Sequence, residues 1–207
     1  MSTTTTPDRV PYSMAARELL RSTLLDAACH QLSRSAWADV TMADIALAAG
    51  VSRQTLYKQF GSREEFAQHL VVREADRLLL AVEEAVNARL DAPVAALAAG
   101  FDVFVRAVAE NPLVHAIVRG GGAAELVVPI STQDKSLVES AAERLTDVIL
   151  NGWPLVGREN AGDLSECLIR LAVSYASLPK GPSGMSAASV ARLLGPYVEQ
   201  LVATAAA

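Results

Sequence analysis

Thr41-Met42-Ala43-Asp44-Ile45-Ala46-Leu47-Ala48-Ala49-Gly50-Val51-Ser52-Arg53-Gln54-Thr55-Leu56-Tyr57-Lys58-Gln59-Phe60 is the stretch from which the rest of the chain is read. It predicts two short helices joined by a tight turn at Ala49-Gly50-Val51. Thr41 is placed to cap the first helix, and Asp44 three residues on completes a capping box. Gly50 sits where the chain must reverse, and glycine takes a positive φ without steric cost. Ser52 is placed to cap the second helix. Met42, Ile45, Ala46, Val51, Leu56 and Phe60 form an apolar set able to lock the two helices together. Arg53, Gln54, Tyr57 and Lys58 are left on the opposite face. One face packs and the other offers groups that reach base edges and phosphates, which is the layout of a helix-turn-helix.

The composition around this stretch is that of a globular, helical chain. Its 207 residues are 51% hydrophobic and 20% charged, enough for one or two domains with real cores. Alanine is abundant and aromatics are scarce, which favours helices over sheets. The net charge of −5 argues against bulk affinity for nucleic acid. Its distribution is more telling. Residues 1–63 hold seven Lys and Arg against five Asp and Glu, a net of +2, whereas the remainder has a net of −7. A mildly basic head on an acidic body fits DNA binding confined to one end and specified by bases. Cys29 and Cys167 are far apart on predicted helices, so a disulfide framework is not expected and a reducing compartment is. Cys167, beside Leu168, reads as core. Met1 to Tyr12 is polar and Thr-rich, unlike a secretory signal. No apolar run reaches the ~18 residues of a membrane span. A cytoplasmic protein without membrane attachment is the expectation.

Periodicity and breakers divide the chain into a disordered arm over 1–12, a compact helical head over 13–62 and a helical body over 63–207. A first helix is expected from about Ser13 to Ser33, with Leu20, Leu24, Ala27, Ala28 and Leu32 at helical spacing. Trp37 and Val40 follow in a loop that closes the small core. A long fourth helix is expected from Ser62 to about Leu90, and Asp91-Ala92-Pro93 starts the next. Asn111-Pro112 ends that one. Leu113 to Val118 reads as a short helix, Gly120-Gly121-Gly122 as a loop, and Ala123 to Val128 as a further short turn. Thr132 to about Gly152, Asp163 to Leu178 (capped by Asp163) and Ser186 to about Ala203 complete an all-α chain of about nine or ten helices.

Together with Ser62-Arg63-Glu64-Glu65-Phe66, the opening stretch closely resembles the DNA-binding domain of the TetR family of bacterial transcription regulators. The resemblance is carried by Leu20 to Leu70. Beyond it, only the length, the helical pattern and the final helix pair match. Alanine at position 36, before Trp37, stands where the family often has a glycine. The resemblance implies a three-helix DNA-binding domain followed by a helical ligand-binding and dimerisation domain, and it implies roles for single residues. Thr41 would meet a phosphate at the start of its helix. Tyr57 and Lys58 would contact phosphates, and Arg53 and Gln54 would read guanine and adenine edges. Ser52, Thr55 and Gln59 would support them, and Arg63 would touch the flanking backbone. Arg17 and Arg21 read as solvated. The helices Lys135–Leu150 and Leu164–Leu178 resemble the family's dimer pair. Leu137, Leu145, Val148, Leu164, Leu168, Leu171 and Tyr175 fall on their apolar stripes. Partners implied are a double-stranded DNA operator, a second copy of the chain and a small lipophilic effector. In the family's mechanism the effector moves the fourth helix and changes the separation of the two heads.

The body is rich in apolar residues, and two accounts fit them equally: a packed core, or a cavity with few polar groups. The resemblance favours a cavity, with Phe101, Phe104, Val108, Ile117, Leu126, Trp153 and Tyr175 as candidate lining. His30, His69 and His115 stand singly, so no metal site or triad is expected, nor any cofactor. The glycine run lacks the Lys-Ser/Thr of a phosphate loop. An enzyme would need a converging nucleophile, base or metal set, and none is visible. A ligand-independent regulator, or an activator of the same fold, stays open as the alternative to a ligand-released repressor.

Overall fold

The computed structural model describes residues 12–119, 137–177 and 186–205. Within them the chain forms nine α-helices, two short 3₁₀ turns and no strand. It divides into two compact units, Met1–Arg63 and Glu64–Ala207. The expected arm before Tyr12, the glycine loop, the turn over 123–128 and the residues 132–136 lie outside the described residues.

In the first unit, α1 (Tyr12–Leu32) buries Leu24, Ala28 and Leu32, one side chain per turn on one face. A 3₁₀ turn (Trp37–Asp39) follows, then α2 (Met42–Ala48) and α3 (Arg53–Phe60). Trp37, Val40, Met42, Ile45, Ala46, Leu56 and Phe60 are buried beside them. The capping box of α2 is closed from both sides. Thr41 Oγ1 accepts from the Asp44 backbone N–H at 3.2 Å, and Asp44 Oδ2 accepts from the Thr41 backbone N–H at 3.0 Å. The helix ends in a Schellman arrangement. Gly50 N–H donates to Leu47 O at 3.1 Å and Val51 N–H donates to Ala46 O at 2.9 Å. Gly50 reaches this geometry at φ +70°, in the left-handed region. Ser52 Oγ then accepts from Thr55 N–H at 3.1 Å and starts α3.

The second unit holds most of α4 (Arg63–Asn87), then α5 (Pro93–Glu110), α6 (Pro112–Arg119), α7 (Leu137–Gly152), a 3₁₀ turn (Pro154–Val156), α8 (Arg158–Ser177) and α9 (Ala187–Ala205). Helix α5 packs on α9, α7 packs on α8, and α5 and α6 also meet α8. One apolar cluster gathers Val86, Leu97, Leu145, Val148, Ile149, Leu164 and Val198. A second gathers Phe101, Ala172 and Val190. Pro93 opens α5, and Asn111, held extended before Pro112, closes it. Helix α8 begins at Arg158, five residues before the expected cap Asp163. Gly157 turns the chain at φ +79°, and its carbonyl already accepts from Ala161 N–H at 3.1 Å. Asp163 is therefore an exposed residue inside the helix. Cys167, expected in the core, is exposed.

Candidate nucleic-acid interface and interior cavity

Helix α3 is fixed at both ends, and its outward row is what the caps leave free. Ser52, Arg53, Gln54 and Lys58 are exposed, while Thr55, Tyr57 and Gln59 are half-buried. The Arg53 guanidinium leans one turn along the helix onto Tyr57. It lies 5.3 Å from the ring centre and donates to the hydroxyl at 3.4 Å. The hydroxyls of Ser52 and Thr55 share a hydrogen bond of 2.8 Å. The Thr41 hydroxyl donates to Asp44 Oδ2 at 2.5 Å. That bond first, and the Thr41 backbone N–H second, hold the Asp44 carboxyl below the usual carboxylate range.

Three arginines do something other than expected. Arg63 does not point its guanidinium outward as a flanking phosphate contact. It donates to Val40 O and to Trp37 O, each at 2.6 Å, and lies 4.2 Å above the Trp37 ring. A fork of five donors suits two carbonyls and an aromatic face at once. Nor are Arg17 and Arg21 simply solvated. Arg21 donates to Gln59 O at 2.7 Å and lies 4.4 Å from the Phe60 ring. Arg17 Nε donates to Gln59 Oε1 at 3.2 Å. Cations on α1 thus satisfy the C-terminal end of α3, where the helix dipole favours them. Gln59, expected as a supporting contact, is engaged within the unit.

The second unit contains a partly open cavity of about 190 Å³. Leu78, Val82 and Val86 of α4 line it, with Leu97, Phe101 and Phe104 of α5, Leu145 and Ile149 of α7, Leu164 and Leu168 of α8, and Leu201 of α9. Phe101, Phe104 and Trp153, three of the candidate lining residues, border it. Tyr175 does not. It packs edge-on against Phe101, ring centres 6.2 Å apart. Val108 is half-buried outside the lining. Ile117 is on α6, but its side chain, like the whole of Leu126, lies outside the described residues. Sequence reasoning missed Glu74, the one charged side chain among the described lining residues. The signal was present: Glu74 interrupts the stripe Leu70, Val71, Leu78 at helical spacing.

Of the expected dimer stripe, Leu145, Val148 and Leu164 are buried, and Leu137, Leu168, Leu171 and Tyr175 are half-buried. Leu137, Leu145, Leu164 and Leu168 line the cavity, and Val148 is buried in the larger cluster. Leu171 packs on the smaller cluster and Tyr175 on Phe101. The large apolar residues left outside on the last helix are Leu193 and Tyr197, 67% and 47% exposed and one turn apart on α9. Among the described residues no helix is long and apolar enough to cross a membrane. No group of three His, Cys, Asp or Glu among them is placed to hold a metal ion.

Comparison with known proteins agrees with this architecture. Residues 24–70 match the family model described as bacterial regulatory proteins, tetR family, and residues 91–196 match the bacterial tetracyclin repressor C-terminal domain. The chain is 36% identical over 192 residues to the HTH-type transcriptional regulator AlkX of Mycobacterium tuberculosis, covering 93% of this chain and 91% of that one. It superposes with a TM-score of 0.71 on the TetR family repressor AlkX of a Dietzia strain, a protein implicated in biodegradation of n-alkanes. That match has 29% identity over 88% of this chain and 96% of the other. A TetR-family regulator of Streptomyces coelicolor shares the fold at 19% identity and a TM-score of 0.53, over 95% and 99% of the two chains.

Proposed function

This chain belongs to the TetR family of bacterial transcription regulators, and on that premise we propose that it is a homodimeric repressor released from its operator by a small lipophilic molecule. It is a DNA-binding regulator and not an enzyme. Its place of action is the bacterial cytoplasm, where the operator lies.

The observation that carries the reading is the outward row of α3, with Arg53, Gln54 and Lys58 exposed on a helix capped at both ends. Such a helix enters the major groove as a rigid unit, its first residues at the base edges. Gln54 suits adenine, Arg53 suits guanine, and Lys58 suits a phosphate. Tyr57 and Thr41 add backbone contacts, with Ser52 and Thr55 beside them. The test is a selection of bound fragments from the source genome at moderate salt, followed by salt titration. Lys58→Ala should weaken all sequences alike and lower the salt slope by about 1. Gln54→Ala should relax preference at one base position, at a cost of about 1–3 kcal/mol against the best site. Absence of any sequence preference would refute the reading.

Two-fold operators call for a two-fold protein, with recognition helices about 34–36 Å apart or a multiple of that. The exposed pair Leu193 and Tyr197 supports a seam on the outer face of α9 in place of the inward stripes of α7 and α8. The cavity supports the effector, because its lining is apolar and suits a lipophilic molecule. The role of the Dietzia relative in n-alkane biodegradation supports an aliphatic one. Release of DNA requires that the effector bind the DNA-free state more tightly than the DNA-bound state.

A further inference from the structure

We propose that the cavity selects its effector by shape. It takes one unbranched aliphatic chain of about ten carbons, laid along the helices that line it, and disfavours compact rings of equal apolarity. This rests on the ligand-released reading above.

The lining is long for its volume. It follows α4 from Ala75 to Val86, α5 from Pro93 to Phe104 and α7 from Leu137 to Ile149. At the rise of an α-helix these runs measure about 16, 16 and 18 Å. They lie side by side. Trp153, just past α7, donates from Nε1 to Leu90 O at 3.1 Å, in the turn between α4 and α5. Toward the other end, Arg144 pairs with Asp76 at 2.9 Å. A sphere of about 190 Å³ is only about 7 Å across, so the space is drawn out along the helices. At mid-length α4 and α5 touch. A Cβ on Gly100 would come 3.3 Å from Val86 and 3.4 Å from Val82, and all three residues belong to the lining. The cavity runs along that seam and does not part it.

The wall supplies contact and little else. Apart from Glu74, whose carboxylate is held by Arg73, Arg77 and Asn111, the described lining residues are apolar, and Trp153 has committed its N–H to Leu90. Discrimination then comes from how much apolar surface a molecule lays against the wall. A zigzag of single bonds near 1.5 Å and 111° advances about 1.25 Å per bond, so ten carbons span about 11 Å, or about 15 Å with their van der Waals surfaces. That matches the runs on α4 and α5. A ring touches the wall over one stretch and leaves the rest unfilled.

The test is a series of primary alcohols from hexanol to tetradecanol, with cyclododecanol as the ring. Trp153 lines the cavity, so its fluorescence in a Trp37→Phe background reports binding. Affinity should climb about fourfold per carbon and stop climbing near decanol. Cyclododecanol should bind at least tenfold more weakly than decanol once each affinity is divided by its octanol partition. A climb that ends at octanol or before, or runs unbroken to tetradecanol, overturns the proposal, and so does a ring that matches decanol. Two plugs then test the ends. Ala141→Phe fills the end near Asp76, and Val202→Phe the end near Trp153. Each should move the break down by about two to three carbons, the length of the added ring. A break that stays put in either variant, with melting intact, places the molecule at one end only and overturns the proposal. If no alcohol binds while an unrelated lipophile still releases DNA, shape selection fails and the repressor reading stands. If the series binds as expected and operator affinity does not change, shape selection stands and the release reading fails.

Discussion

Arg63→Ala separates a structural arginine from a DNA-contacting one. The guanidinium makes two charge-assisted bonds of 2.6 Å to backbone carbonyls and covers the Trp37 ring at 4.2 Å. A hydrogen bond to a charged group contributes about 1.5–3 kcal/mol, and a cation over an aromatic face about 0.5–1 kcal/mol where solvent reaches it. Arg63 is half-buried, so water replaces part of what is lost. The expected destabilisation of the first unit is about 2–4 kcal/mol, below the simple sum. Lysine at 63 should recover less than half, because a point charge cannot hold two carbonyls and a ring together. The assay is urea unfolding followed by Trp37 fluorescence, in a Trp153→Phe background that leaves Trp37 as the sole reporter. In parallel, the slope of operator affinity against salt should not change, since no phosphate contact is removed. Unfolding unaltered to within about 0.5 kcal/mol, with a salt slope lowered by about 1, would refute the reasoning and return Arg63 to the DNA backbone.

Three other outcomes are expected. Leu193→Asp should give monomers, seen by sedimentation, whose chains melt normally, whereas Leu168→Asp should unfold the second unit by placing a carboxylate in the cavity wall. An intact Leu193→Asp dimer would remove α9 from the seam. Gly50→Ala should cost about 1–2 kcal/mol purely through its positive φ, because an added Cβ meets nothing within 4 Å; unchanged stability would mean the turn had moved. The Asp44 carboxyl is held below its ordinary 3.8 in the folded chain, so its stabilisation is full above that value and is lost as pH falls through the depressed one. Melting followed at Trp37 should drop in that window for the wild type and less steeply for Asp44→Asn. Equal acid sensitivity would exclude Asp44 as a source.

What the sequence disclosed was local chemistry. Thr41, Asp44, Gly50 and Ser52 each act within three or four residues of themselves, so their spacing alone places α2, the turn and α3. Pro93 and Asn111-Pro112 act in the same way on α5. Long cations were illegible for the opposite reason. Arg63 reaches back over 23 and 26 residues, and Arg21 forward over 38, to carbonyls that any folded chain presents. The start of α8 was missed because Asp163 has the chemistry of a cap, while the actual turn is made by Gly157. The dimer stripe was not legible, because helical spacing of leucines is the same whether they face a cavity or a partner. Only the fold distinguishes Leu168 in the wall from Leu193 outside it.

The arginine clasp on Gln59 divides α3 into two halves with different freedom to vary. The end near Gln59 and Phe60 is tied to α1 through Arg17 and Arg21, and a change there would disturb the small head itself. Gln54 and Lys58 are exposed, and Arg53 is exposed and leans on Tyr57 of its own helix. Those three positions are where new operator preferences can arise, by descent or by library, without first repairing the scaffold. A retargeting experiment that randomises 53, 54 and 58 should return mostly folded proteins, and one that includes 59 and 60 should not.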